Sequence, residues 1–252
     1  MRSGAARAGL AAVAGTATLV GLHSAPALTW LPVVRRRFPV LDGAGDPSHV
    51  ALTFDDGPDA VSTPVLLDEL AALDVRATFF LLGENVQRAS DVVRRLVAEG
   101  HEIAVHGWHH RNSLRVLPGE LRASLERALE VIEGVSGVRP TLYRPPYGVV
   151  TLGTLRAARS LGLTTVLWGA WGVDWAPDAT PASVQRALAP DLAGGVTILL
   201  HDSDCTSSRG SWRSTLGALR PVVEGLRARG LEVGSLGEHQ GAPSAAVPVP
   251  SA

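Results

Sequence analysis

From His49 onward, short β-rich runs alternate with segments of helical period, and that alternation admits few folds. The β-rich runs are HVALTF, ATFFLL, HEIAV, TLYR, TTVLW, VTILL and LEVGSL, with helices expected between them. Strands joined by crossover helices pair in parallel, so the chain reads as α/β with a largely parallel sheet. In GELRASLERALEVIEG, Leu121, Leu125, Leu129 and Ile132 recur at helical spacing and form one apolar stripe. SDVVRRLVAEG offers Ser90 as a helix N-cap and closes on Gly100. No repeat of solenoid length breaks the pattern, and a single domain from Pro47 to His239 is expected.

In a parallel sheet, ligands bind beyond the carboxyl ends of the strands, so polar residues that follow apolar runs are informative. ALTF is followed by Asp55 and Asp56, HEIAV by His106, His109 and His110, and TLYR brings Arg144 and then Tyr147. TTVLW leads on to Asp174, and VTILL to His201 and Asp202. His106 and His110 are four apart, so on a helical turn both imidazoles would face one cation while His109 points elsewhere. Asp56 would complete a two-histidine, one-carboxylate set, leaving Asp55 as the adjacent candidate base. DDGP is equally the composition of a turn, and RPPYG that of a rigid loop.

Together and in order, TFDDGP, HGWHH, LYRPPYG, DW and ILLHD resemble the polysaccharide deacetylase family with the NodB homology domain, carbohydrate esterase family 4. The resemblance implies a distorted (β/α) barrel with fewer units than the eightfold one, which binds a divalent metal and removes N-acetyl groups from sugars. It implies that Asp56, His106 and His110 ligate the metal, usually zinc, with cobalt or nickel accepted by some members. It implies that Asp55 is the base for the attacking water, that Arg144 orients Asp55, and that the Tyr147 backbone N–H helps to hold the oxyanion. By the same resemblance His201 is the acid that protonates the leaving amine, Asp174 tunes it, and Trp175 and Leu199 line the acetate pocket.

Two positions depart from the family's pattern. Trp171 stands where a further Asp is frequent, which bears on substrate fit, and Gly107 stands where Ser or Thr is usual, which bears on metal affinity. Trp108, Trp168, Trp171, Trp175 and Trp212 offer sugar-stacking faces, with core packing expected for Trp168.

Charge narrows the partners: 23 Lys and Arg balance 24 Asp and Glu, so no overall field draws the chain to nucleic acid or anionic lipid and a neutral or mixed-polarity substrate fits best, while the family resemblance implies an acetylated glycan. A single cysteine, Cys205, excludes an intrachain disulfide, and the water-activated route needs no thiol. The chain from Ala8 to Val34 has no charged residue, and residues 1–37 read either as a signal peptide ending near SAPA or as an uncleaved membrane anchor. An amphipathic or buried N-terminal arm is the third reading. Export or anchoring implies an extracytoplasmic site, although the triplet Arg35 to Arg37 opposes that orientation. Residues 240–252 should form a mobile tail.

The leading function is therefore metal-dependent N-deacetylation of a polysaccharide, peptidoglycan ahead of chitin. The alternative is hydrolysis of a non-sugar amide or an O-acetyl ester by the same chemistry. A non-catalytic glycan-binding protein would lack a base, ligand or acid, and none of these is missing from the sequence.

Overall fold

The computed structural model describes residues 21–241. Among them are eight strands: β1 (His49–Asp55), β2 (Thr78–Leu82), β3 (Glu102–Gly107), β4 (Leu142–Tyr143), β5 (Thr164–Thr165), β6 (Ala170–Trp171), β7 (Thr197–His201) and β8 (Glu232–Gly234). They form one sheet in the order β5-β4-β3-β2-β1-β7-β6, with β8 added to the start of β1. Each pairing is parallel, and the sheet curls into an incomplete barrel in which, among the described residues, β5 and β6 do not pair. The expected distorted (β/α) barrel is the fold observed.

β1 lies at the centre, and all seven of its residues are buried, as a strand covered on both faces requires. Its partner β7 runs in register from Ala51 opposite Thr197 to Asp55 opposite His201. The strand read in TTVLW is divided: Thr164–Thr165 pairs with β4, and the chain pairs again only at Ala170–Trp171, a two-residue strand too short to announce itself by alternation.

The longer helices are α1 (Ser62–Ala72), α2 (Ser90–Ala98), α3 (Pro118–Ser136), α4 (Leu152–Ser160), α5 (Pro181–Leu188) and α6 (Trp212–Arg227). α3 opens on Pro118, whose missing N–H costs nothing in a first turn, and closes on Gly137 at φ 71°, whose N–H bonds the Glu133 carbonyl at 2.8 Å. Its stripe of Leu121, Leu125, Leu129 and Ile132 is buried as expected. Truncating Leu125 to Ala would cost about 2–5 kcal/mol by transfer and cavity terms. Ser90 is the first residue of α2 rather than its cap. A short helix, Gly83–Arg88, runs into Ala89, whose N–H already bonds Asn85, and the Ser90 hydroxyl instead accepts from Arg94.

Residues upstream of β1 also pack on the barrel. A 3-10 turn (Ala25–Trp30) and two single-turn helices (Pro32–Arg35 and Pro39–Asp42) lead to Leu41, whose carbonyl accepts from the Leu167 N–H at 2.7 Å. Leu41 packs with Val150, Leu167, Trp168 and Leu199. No helix among the described residues is long and apolar enough to cross a membrane. The first 20 residues of the expected leader, and the expected tail beyond Gly241, lie outside the described residues.

Candidate active site

The polar residues singled out in the sequence converge at the carboxyl ends of β1, β3, β4 and β7. Asp55 ends β1, and its Oδ1 accepts from Arg144 Nη1 at 2.7 Å. Arg144 follows β4 and has no exposed surface. Its Nη1 also donates to Thr53 Oγ1 at 2.8 Å and its Nη2 to the Leu167 carbonyl at 2.7 Å, while its guanidinium lies 4.0 Å above the Phe80 ring. A guanidinium held on so many sides fixes the carboxylate that it contacts.

Asp56 takes a left-handed backbone at φ 80°, which turns its side chain away from that of Asp55. Its buried Oδ1 has no hydrogen-bond partner and lies 3.4 Å from Nε2 of His106 and 3.4 Å from Nε2 of His110. Ligand atoms of the three residues fall within 4.8 Å of one another. An orphaned carboxylate oxygen facing two imidazole nitrogens in a buried place fits a divalent cation. The His106 Nδ1–H donates to the Arg144 carbonyl at 2.8 Å, which leaves the Nε2 lone pair facing Asp56. Burial, reinforced by His106, pulls His110 down to about 4, so it is a neutral donor near pH 7. Burial alone would raise the Asp56 carboxyl, but the imidazoles of His106, His201 and His110 around it hold it well below the usual range.

The two histidines do not share a helical turn. His106 sits in β3, and the chain turns sharply at Gly107, φ 130°, to return His110 from the following loop. A Cβ at residue 107 would meet the His109 carbonyl at 3.3 Å, so this bend suits glycine and accounts for the departure from Ser or Thr. His109 points outward, 2.8 Å from Glu84.

His201 ends β7. Its Nδ1–H donates to Asp174 Oδ1 at 2.8 Å, and Asp174 Oδ2 accepts from the His201 backbone N–H at 2.7 Å and from Thr215 at 2.6 Å. Burial would depress the imidazole, but the Asp174 carboxylate outweighs it and pushes His201 up to about 10.

These groups open into a cleft of about 320 Å³ lined by Asp55, Asp56, His106, His110, Leu199 and His201, with Trp30, Tyr147, Trp168, Trp171 and Trp175 around them. Tyr147 has φ 59°, a strained value for a residue with a side chain, and its ring stands 4.3 Å from that of His110.

Residues 42–166 match the Polysaccharide deacetylase family. The chain is 33% identical over 204 residues to a peptidoglycan-N-acetylglucosamine deacetylase of Bacillus cereus, covering 80% of this chain and 72% of that relative. It is 35% identical over 208 residues to a chitooligosaccharide deacetylase of a Bradyrhizobium species, covering 79% of this chain and 93% of that relative. The chain belongs to the polysaccharide deacetylase family.

Its fold matches the crystal structure of a peptidoglycan N-acetylglucosamine deacetylase in complex with 4-naphthalen-1-yl-N-oxidanyl-benzamide, with a TM-score of 0.74 at 30% identity over 80% of this chain and 92% of that one. Members of this deacetylase family are metal-dependent, and the Asp56, His106 and His110 cluster is a candidate place for the ion.

Within this family member the tryptophans divide. Trp168 is buried, as expected, and Trp171 stacks on Trp175 with centroids 6.0 Å apart and planes at 27°. Trp108 is buried with Arg127 over its ring, and Trp212 heads α6, so neither lines the cleft.

Three supporting residues escaped the sequence reading. Thr206 donates to Asp56 Oδ2, and Asn85 donates to the Asp56 carbonyl at 2.9 Å. The third, Trp30, lies inside the uncharged run that reads as a membrane segment. Thr206 stands in a Ser-rich loop with no spacing to mark it, so only the local fold identifies it. The Cys205 sulfur is 3.5 Å from the Asp56 carbonyl, and burial pushes its thiol up to about 11.

Proposed function

We propose that this protein is an N-deacetylase of acetylated glycans, peptidoglycan ahead of chitin, working on the extracytoplasmic side of the cell envelope. The observation that supports this most strongly is the register match of Asp55 with His201 beside the Asp56, His106 and His110 set. The similarity to deacetylases of peptidoglycan and of chitooligosaccharides points to the same reaction.

An amide is a poor electrophile with a poor leaving group, so it needs a positioned base and a positioned acid. A divalent cation held by Asp56, His106 and His110 supplies Lewis-acid polarisation and a lowered water pKa. Two imidazole nitrogens and one carboxylate suit zinc, and cobalt or nickel can replace it in such a set.

Asp55, oriented by Arg144, takes a proton from the attacking water as the new carbon–oxygen bond forms. The Tyr147 backbone N–H donates to the oxygen that gains negative charge, and the strained backbone there holds that donor in place. As the carbon–nitrogen bond breaks, protonated His201 gives its proton to the amine, and acetate and a free amino sugar result. Asp174 keeps His201 charged until then. Trp175 and Leu199 enclose the acetyl methyl group.

The uncharged run from Ala8 to Val34 supports delivery to the membrane, as a cleaved signal or a retained anchor. Comparing acetate release from N-acetylated peptidoglycan and from chitin oligosaccharides tests the assignment. Faster release from peptidoglycan is expected, and release from neither would overturn it.

A further inference from the structure

Four large aromatic side chains among the described residues are strongly exposed, namely Trp30, Phe38, Tyr147 and Trp175, and three of these line the one cleft that holds Asp55 and His201. Tyr147 and Trp175 come from loops of the barrel. Trp30 does not: it arrives from the chain upstream of β1, at the end of the Ala25–Trp30 turn, with 52% of its surface exposed. Three exposed aromatic rings gathered around one cleft form the kind of apolar patch that marks a ligand-binding groove.

The segment that presents Trp30 is held by a buried charge. Arg35 is only 4% exposed, pairs with Asp42 at 2.8 Å, and lies 5.3 Å above the ring of Trp168, itself a wall of the cleft. Its Nη1 reaches the carbonyls of Thr29 and Trp30, each at 3.5 Å, and Thr29 is buried beside it. Downstream, the Thr197 hydroxyl donates to the Gly43 carbonyl at 2.6 Å, fixing the far end of the segment to β7. A segment anchored at both ends thus places an exposed indole on the cleft.

We propose that Trp30 is a substrate-positioning residue: its ring stacks on the apolar C–H face of a pyranose of the glycan chain, holding the polymer across the cleft while the acetyl group enters the pocket. The inference rests on the glycan reading above. It adds that the chain upstream of the barrel is part of the binding site. Cleavage after Ala27 would leave Trp30 in place behind Leu28 and Thr29, whereas removal of residues through Trp30 would take away one wall of the cleft.

The test is steady-state deacetylation of N-acetylglucosamine hexasaccharide by full-length wild type, Trp30→Ala and Trp30→Phe, with melting temperature and bound metal measured on each. Trp30→Ala should raise KM about tenfold, the worth of one aromatic contact, with kcat within about twofold of wild type. Trp30→Phe should recover most of the affinity. Unchanged KM in Trp30→Ala would overturn the inference, as would a fall in kcat accompanied by a lower melting temperature, which marks packing alone. A wild-type protein that binds metal yet releases acetate neither from this oligosaccharide nor from N-acetylated peptidoglycan would overturn the glycan reading itself and this inference with it.

Discussion

Asp55 and His201 are register partners on adjacent parallel strands, β1 and β7. Side chains of register partners emerge on the same face of a sheet, so the proposed base and acid flank one point without any loop having to bring them together. Asp56, one residue on, turns toward His106 and His110, so the two neighbouring acids serve different purposes.

That division predicts unequal effects. Asp55→Asn should reduce turnover by 10²-fold or more while the protein keeps its metal, because Asp55 bonds Arg144 at 2.7 Å, is 3.9 Å from His106 Nδ1, and is outside the Asp56, His106 and His110 cluster. His106→Ala should lose both. Metal content after dialysis, measured by mass spectrometry, checks this; equal loss in both variants would refute it.

Arg144 is fully buried against Asp55, so Arg144→Met leaves a buried carboxylate without its partner. We expect a loss of about 3–5 kcal/mol in urea unfolding, and partial recovery when Asp55→Asn is added. Additive losses in the double variant would show that the pair is not coupled.

The Asp174–His201 pair sets a pH dependence. Because His201 is pushed up to about 10, above its unfolded value near 6.5, its charge stabilises the fold fully below pH ~6.5, and that contribution fades as pH rises through about 10. Asp174→Asn should move the alkaline limb of kcat to lower pH and cut turnover at pH 8 by about 10²-fold. A pH–rate profile with an unmoved alkaline limb would contradict the role given to Asp174.

His101 works in the opposite sense. It is buried, its Nδ1 accepts from the Ala77 N–H at 3.2 Å, and burial pulls it down to about 4. The unfolded chain therefore takes up the proton first, and stability should fall by about 3 kcal/mol as pH drops from about 6.5 to about 4. Urea midpoints at pH 7 and pH 4.5 measure the slope, which His101→Gln should flatten.

Most of the site was legible because strand ends are where a parallel sheet exposes its chemistry, and the acids, histidines and arginine that follow each apolar run could be read in order. His106 and His110 do come together, but a glycine bend after a strand, not a helical turn, brings them there. β6 was missed because a two-residue strand, Ala170–Trp171, carries no periodicity. Trp30 was hidden by its surroundings, since an uncharged run looks the same whether it enters a membrane or ends by presenting a side chain to the cleft. Ser90 failed as a cap because the Val92 and Val93 N–H groups that a cap would take already donate to the Ala89 carbonyl.

The decisive measurement is acetate release from N-acetylated peptidoglycan by chelated protein, with and without added zinc, beside Asp55→Asn. Acetate that appears only with zinc and vanishes in the variant is the predicted result. No acetate from wild type carrying bound zinc would contradict the assignment of this cleft as a peptidoglycan deacetylase site.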